Sequence, residues 1–133
     1  MNVYVATDHA GFHHKQAIVA ALETDGYTVI DGGAHTFDPD DDYPDFITPV
    51  IAQLRADTDE TARAIILGGS GQGEAMLANK TPGIRAVAYY GGSELILSLS
   101  REHNNANVLS LGARFMDHAA AVVAARFWLS ISF

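Results

Sequence analysis

The sequence predicts an α/β protein with a Rossmann-like three-layer α/β/α sandwich built on a five-stranded parallel sheet. Two observations lead to this prediction. Short runs rich in β-branched and aromatic residues alternate with segments of helical periodicity. These strand-like runs are apolar throughout, as is typical of parallel strands covered by helices on both faces. Because residues 1–133 show no internal repeat or linker, we expect a single domain.

Each element follows from its local pattern. The predicted strands are NVYVAT (2–7), YTVID (27–31), ARAIIL (62–67), RAVAYY (85–90) and NVLSLG (107–112). A first helix is indicated by the helical spacing of Ala17, Ile18, Ala21 and Leu22, and the others are predicted over 44–56, from a glycine-rich loop to about Asn79, over 93–103 and over 117–130. Pro44 fits a first helical turn, and Thr81–Gly83 is a break. We assign Met76, Leu77 and Phe115 to the core.

The composition excludes several classes of function. A net charge of −8, with only two lysines and six scattered arginines, argues against a nucleic-acid surface. No apolar run approaches the roughly 20 residues that span a bilayer, and the first residues lack the pattern of a signal peptide. Without cysteine there is no disulfide, thiolate nucleophile or cysteine-based metal site. We therefore expect a cytoplasmic protein with neither nucleic-acid nor membrane partners.

The strongest chemical motif is the glycine-rich loop, GGSGQGEAMLANK (68–80), directly after the third predicted strand. Its four glycines let the backbone approach a ligand and present successive N–H groups, while the following helix adds its positive dipole end. The loop lacks the lysine and hydroxyl order of a P-loop and the spacing of a dinucleotide fingerprint. It therefore predicts a site for a phosphate, a carboxylate or an enolate; the alternative is a tight turn without a ligand.

Glu74 stands in the first turn of the helix after this loop. A carboxylate there is often only a partner of the helix dipole. Beside a nest of N–H groups that can hold an oxyanion, it is also a candidate base for removing a proton next to a carbonyl. The helix dipole lowers the pKa of a carboxyl group and burial raises it, and the sequence leaves this balance open.

Other candidate residues follow the ends of predicted elements. They are Asp8 and His9 in TDHAG, His103 and Asn104 in REHNNANV, and Arg114 in LGAR. Each also has a structural interpretation, as a helix cap, a helix stop or a surface charge. The acidic run DPDDDYPD (38–45) is interpreted as a solvated loop, with a hard-cation site as the alternative, although it lacks the spacing and glycine of a calcium loop.

Together these segments resemble the ribose-5-phosphate isomerase B family, which includes the galactose-6-phosphate isomerase subunits. The resemblance covers residue 2 to about 128 and rests on the order and spacing of DHAG, DYPD, GGSGQGEAMLANK, GIRA and REHNNANVLSLGAR. It implies aldose–ketose isomerisation of a sugar phosphate without metal or cofactor. It also implies a homodimer, with a tetramer as the alternative, and active sites at the subunit interface.

The resemblance also implies a role for each candidate. One branch of the family uses a cysteine that opens the loop as its base and the other a glutamate after it; Gly68 and Glu74 place this chain with the glutamate branch. Glu74 would move a proton between C1 and C2 through a cis-enediolate, and Ser70 would help the transfer between O1 and O2. Asp8 and His103 would assist ring opening. The remaining substrate contacts would come from Gly69, Gly71, Gln72, Gly73, Asn104, His9 and Arg114, the last two at the phosphate.

One feature departs from the family pattern. The resemblance implies a C-terminal basic helix that brings arginines to the phosphate, whereas this sequence has no basic residue after Arg126 and ends at Phe133. We expect weaker phosphate binding as a result; truncation, a different substrate and a degraded paralogue all remain open. The predicted activity is the interconversion of ribose 5-phosphate and ribulose 5-phosphate. The alternatives are an isomerase of a four- or six-carbon sugar phosphate and a non-catalytic sugar-phosphate-binding paralogue.

Overall fold

A computed structural model describes all 133 residues and contains one parallel sheet of five strands. The strands are β1 (Asn2–Thr7), β2 (Thr28–Asp31), β3 (Arg63–Gly68), β4 (Ala86–Tyr89) and β5 (Val108–Gly112), and their order across the sheet is β2-β1-β3-β5-β4. All four neighbouring pairs are parallel. The predicted fold class is confirmed, and each strand lies within two residues of its predicted bounds.

Helices connect and follow the strands. They are α1 (Phe12–Thr24), α2 (Pro44–Ala56), α3 (Gln72–Ala78), α4 (Leu95–Glu102) and α5 (His118–Ser130), with short 3₁₀ turns at His9–Gly11 and Ala113–Phe115. Helix α2 has the predicted bounds, because Pro44 fits the first turn, where its missing N–H costs nothing. No helix has the length and apolar character needed to cross a membrane.

The core lies in two layers, one on each face of the sheet. Alternate residues of a strand point to opposite faces, so Ile65 and Leu67 pack with α1, α4 and α5 whereas Ile66 packs with α2 and α3. The first layer includes the fully buried Trp128, and the second is centred on α2 residues such as Ile47. This division accounts for strands that are apolar on both faces.

Two of the predicted core residues are exposed. Met76 is 65% exposed and Phe115 62% exposed, so their assignment to the core is wrong, while Leu77 packs half-buried against the second layer. The inward face of α3 is taken by Ala75 and Ala78, three residues apart, which leaves Met76 on the outer side. Phe115 belongs to the 3₁₀ turn after β5, which lies outside the packed layers.

The strand order determines where a ligand can bind. The chain leaves β1 toward one edge of the sheet, where β2 lies, and leaves β3 toward the other edge. Because β1 and β3 are neighbours, a crevice opens beyond their carboxyl ends, as in other open α/β sheets. Asp8 and the glycine-rich loop begin at these two ends.

The core of the central sheet should dominate stability. Leu109 in β5 is fully buried, so Leu109→Ala is expected to lower the free energy of unfolding by about 2–5 kcal/mol through lost burial and a residual cavity. The matched control is Val123→Ala on the outer side of α5, where the side chain is 54% exposed; its effect should stay within about 0.5 kcal/mol. Urea unfolding followed by circular dichroism measures both, and equal losses would contradict the layered core.

Candidate active site

The end of β5 holds the glycine-rich loop in place. Gly71 has a φ of +76°, and a Cβ there would come within 2.9–3.1 Å of the backbone of residues 110–112, so only glycine fits. The Ser110 hydroxyl donates a hydrogen bond to the Gly71 carbonyl. The Arg114 N–H donates to the Gly69 carbonyl at 3.1 Å. The course of the loop is therefore set by backbone contact with the neighbouring strand end.

Glu74 lies in the first turn of α3 and is buried, with 4% of its surface exposed. Its carboxyl group packs directly against Gly68, where any Cβ would collide with it. Burial raises the pKa of Glu74, and the backbone N–H groups of Gly71 and Glu74 oppose that rise only in part. The balance left open by the sequence therefore falls on the side of burial, in the direction a general base requires.

Asp8 is the second buried acid at this edge of the sheet. It caps the 3₁₀ turn by accepting a hydrogen bond from the Ala10 N–H at 3.0 Å, and it is only 8% exposed. Burial raises the pKa of Asp8 despite this hydrogen bond, and the negative charge of Asp8 in turn helps to raise the pKa of Glu74. The cap interpretation of Asp8 is confirmed, and it leaves the carboxyl group facing the same space as Glu74.

A cavity of about 300 Å³ joins these groups. It is lined by residues that follow β1, β2, β3 and β5: Asp8, His9, Ala10, Tyr43, Gly69, Ser70, Gly73, Glu74, Arg114 and Phe115. Seven of the eleven predicted site residues are among them. Gly71 and Gln72 belong to the same loop but do not line the cavity. Gly71 is buried against the end of β5, and Gln72 is exposed, with its N–H hydrogen-bonded to Ser70 Oγ at 3.3 Å.

His103 and Asn104 do not reach this cavity. They are exposed and stand at the C-terminal end of α4, in the connection that leads into β5. That connection lies at the amino edge of the parallel strands, opposite the edge that carries Glu74. One chain therefore presents two separate groups of predicted site residues.

Two polar residues to which the sequence analysis assigned no role lie at the edge of the sheet that carries Glu74. The ring of Tyr43 covers Gly73, and its hydroxyl would lie 2.9 Å from a Cβ at that position. The side chain of Asp41 is only 9% exposed and accepts hydrogen bonds from the N–H of His9 at 2.9 Å and from its ring Nδ1 at 2.7 Å. The solvated-loop interpretation is therefore wrong for Asp41, although Asp38, Asp40 and Asp42 are exposed. The sequence did carry one indication that this segment belongs to the site, because it follows the carboxyl end of β2.

Asp8, His9 and Asp41 offer three possible ligand atoms within 4.8 Å of one another. Because Asp41 Oδ1 is hydrogen-bonded to His9 and Asp8 Oδ1 to a backbone N–H, the three residues are organised as a hydrogen-bonded cluster.

A larger hollow of about 530 Å³ lies at the opposite, amino edge of the sheet, between residues such as Asp57, Glu60 and Arg85. It contains neither the glycine-rich loop nor a buried acid, so the smaller cavity is the candidate active site.

Comparison with known proteins bears directly on this arrangement. The family model described as Ribose/Galactose Isomerase matches residues 3–133. The chain belongs to the ribose/galactose isomerase family. Among curated relatives of this isomerase family, ribose-5-phosphate isomerase B of Mycolicibacterium paratuberculosis is 45% identical over 122 residues, covering 92% of this chain and 74% of the relative.

Solved structures agree with this membership of the isomerase family. Ribose-5-phosphate isomerase B of Mycoplasma genitalium with bound ribulose-5-phosphate superposes with a TM-score of 0.92 at 36% identity, covering 99% of this chain and 85% of the other. The enzyme of the same name from Clostridium thermocellum has a TM-score of 0.91 at 36% identity, covering 100% and 86%. The resemblance inferred from the motifs is confirmed.

The raised pKa of Glu74 predicts a pH-dependent cost to stability. A raised pKa means that the folded state binds this proton more tightly than the unfolded state, so the fold loses stability as the pH rises from the ordinary glutamate pKa to the folded pKa, and the loss is complete above the folded pKa. Glu74→Gln, which is neutral at every pH, should therefore be more stable than the wild type at pH 8. This advantage should vanish as the pH falls below the ordinary glutamate value, where the carboxyl is protonated in both states.

Urea midpoints of the two proteins between pH 4 and pH 8 measure this difference. Glu102→Gln is the control, because Glu102 is exposed on α4 and its replacement removes the same charge. An advantage of Glu74→Gln that is independent of pH, or matched by Glu102→Gln, would contradict the prediction.

Proposed function

We propose that the protein interconverts ribose 5-phosphate and ribulose 5-phosphate, with Glu74 as the base. The observation that carries this proposal is the position of Glu74: a buried carboxyl with a raised pKa lines the same cavity as Gly69, Ser70 and Gly73 of the glycine-rich loop. A base and an oxyanion site on one cavity are what proton abstraction next to a carbonyl requires.

The proposed chemistry has two proton transfers. In the open-chain aldose, Glu74 takes the proton from C2, the electrons of that C–H bond form the C1–C2 double bond, and the C1 carbonyl oxygen becomes the negative oxygen of a cis-enediolate. Backbone N–H groups of the loop residues that line the cavity, Gly69, Ser70 and Gly73, stabilise this oxygen. A proton moves from O2 to O1 with the help of Ser70, and protonated Glu74 returns its proton to C1, which leaves the ketone at C2. The net change is an isomerisation, with no oxidant or reductant consumed.

The substrate assignment rests on the relatives. A curated relative bears the name ribose-5-phosphate isomerase B, and a solved neighbour contains ribulose-5-phosphate. Within residues 1–133 the cationic groups that line the cavity are Arg114 and, when protonated, His9. We therefore place the phosphate against these two side chains.

The two separated groups of site residues lead us to propose a homodimer. A second copy, placed so that its His103 and Asn104 reach the cavity, would complete the site that one chain leaves open. An apolar surface supports this arrangement: Leu95, Ile96 and Leu99 on α4 are 60%, 45% and 38% exposed. Exposed apolar groups on the helix that directly precedes His103 are suited to burial against a partner chain.

The first functional prediction concerns the base. Glu74→Gln should lower turnover of ribose 5-phosphate by roughly 10²–10⁴-fold, because the amide cannot accept the C2 proton. Incubation in deuterated water should give exchange at C2 with the wild type and none with the variant, as followed by NMR. Near-normal turnover would exclude Glu74 as the base. If the wild type exchanges protons only with four- or six-carbon sugar phosphates, the substrate assignment is wrong, and if no sugar phosphate is processed the protein is a binder.

The second prediction concerns the shared site. Glu74→Gln and His103→Ala should each be nearly inactive alone, yet refolding them together should restore activity. In a mixed dimer one site has both mutations and the other has none, so random pairing leaves about a quarter of all sites intact.

The control mixture pairs Glu74→Gln with Ser70→Ala. Both residues lie at the same edge of one chain, so every site in a mixed dimer retains one mutation and activity should not return. Recovery in both mixtures, or in neither, would contradict a site shared between subunits.

A further inference from the structure

We infer that Asp41 is a positioning residue for phosphate binding, which fixes the His9 imidazole as a charged donor at the mouth of the cavity. This inference rests on the proposed function, since it concerns the phosphate of the same substrate. It assigns a specific task to a residue of the acidic segment that the sequence alone did not distinguish from its neighbours.

The geometry of the pair supports this task. One carboxylate oxygen of Asp41, Oδ1, accepts hydrogen bonds from both the backbone N–H and the ring Nδ1 of His9. Two contacts to one oxygen fix the position of the residue and the rotation of its ring. They also engage Nδ1, so the other ring nitrogen, Nε2, has no partner in the chain and is available to a ligand.

The hydrogen bonds from His9 need only an oxygen acceptor at position 41, so they do not explain why this residue is charged. Its second oxygen, Oδ2, is buried without a hydrogen-bond partner, which is costly for a carboxylate. An asparagine oxygen would hold the loop at a lower desolvation cost, because it is neutral. A negative charge is useful here if His9 must be positive, and the hydrogen bond to Asp41 is the main cause of the raised pKa of His9.

The other charged groups near His9 fit a phosphate site. Asp8 precedes it in the chain and adds to the rise in the His9 pKa. Arg114, from the turn after β5, lines the same cavity and supplies a second cation. From α1, His13 reaches His9 only through Phe37: the His13 ring stacks on the Phe37 ring, and the Phe37 ring stands nearly perpendicular to the His9 ring. His9 and Arg114 can thus contact one phosphate from two sides.

The test compares Asp41→Asn with the wild type. Asparagine keeps an oxygen acceptor but loses the charge, so His9 should become neutral at lower pH. We expect the KM for ribose 5-phosphate to rise about 5- to 20-fold near pH 7.5, because one partly exposed charge-assisted contact is lost. The kcat should stay within about twofold of the wild-type value. The KM ratio should fall toward one as the pH falls below the ordinary pKa of histidine, because His9 is then protonated in both proteins.

Two controls separate this role from a loop support. Asp40→Asn removes the same charge from the exposed neighbour and should leave KM unchanged. His9→Gln removes the group through which Asp41 acts, so adding Asp41→Asn to it should change KM little further.

The pKa of His9, measured by NMR, gives a readout that needs no turnover. It should lie above the ordinary value in the wild type and fall in Asp41→Asn, even if ribose 5-phosphate is not the substrate. A His9 pKa that does not change in Asp41→Asn would overturn the inference. A KM ratio that is the same at every pH would also overturn it, as would effects of His9→Gln and Asp41→Asn on KM that multiply in the double mutant. So would a wild-type activity that is lost on chelation and restored by a divalent cation, since Asp41 would then serve the cation.

Discussion

The close packing of two backbone segments, the glycine-rich loop and the end of β5, is the constraint on which the site depends. Gly71 can lie against residues 110–112 only because it has no side chain, and a Cβ at Gly112 would in turn come within 2.7 Å of the Ser70 carbonyl. This contact brings α3 close behind β3, and the first turn of α3 then buries Glu74 against Gly68. Glu74, the loop backbone and Arg114 all take their positions from this one junction.

The electrostatics of the site follow from the same packing. The beginning of a helix favours an ionised carboxylate, but the depth at which the junction holds Glu74 has the larger effect on its pKa. Asp8 is buried at the neighbouring strand end for the same topological reason, and its negative charge makes Glu74 harder to ionise. The fold thus gives up some stability at neutral pH in order to keep a carboxyl group that takes up protons readily, a common feature of active sites.

The sequence was informative wherever a local rule applies. Helix α2 was bounded by Pro44, and the fold class was indicated by uniformly apolar strands. The order of the strands is a non-local property, so the neighbourhood of β1 and β3 could only be seen in the structure. Asp41 shows the same limit, because nothing in an acidic segment with five aspartates tells which one turns inward. Met76 and Phe115 were misplaced because hydrophobicity alone does not say which face of a short helix or turn is covered.

The contact between Gly68 and Glu74 has a consequence for how this family can change. The resemblance places a cysteine base at position 68 in one branch and a glutamate base at position 74 in the other, and in this structure a side chain at 68 would occupy the volume of the Glu74 carboxyl. The two bases therefore compete for the same space. A chain that carried both residues would have to turn the Glu74 carboxyl, the free end of a flexible side chain, away from position 68. The side chain at position 68 thus decides where the carboxyl of residue 74 can lie, which couples the two positions physically.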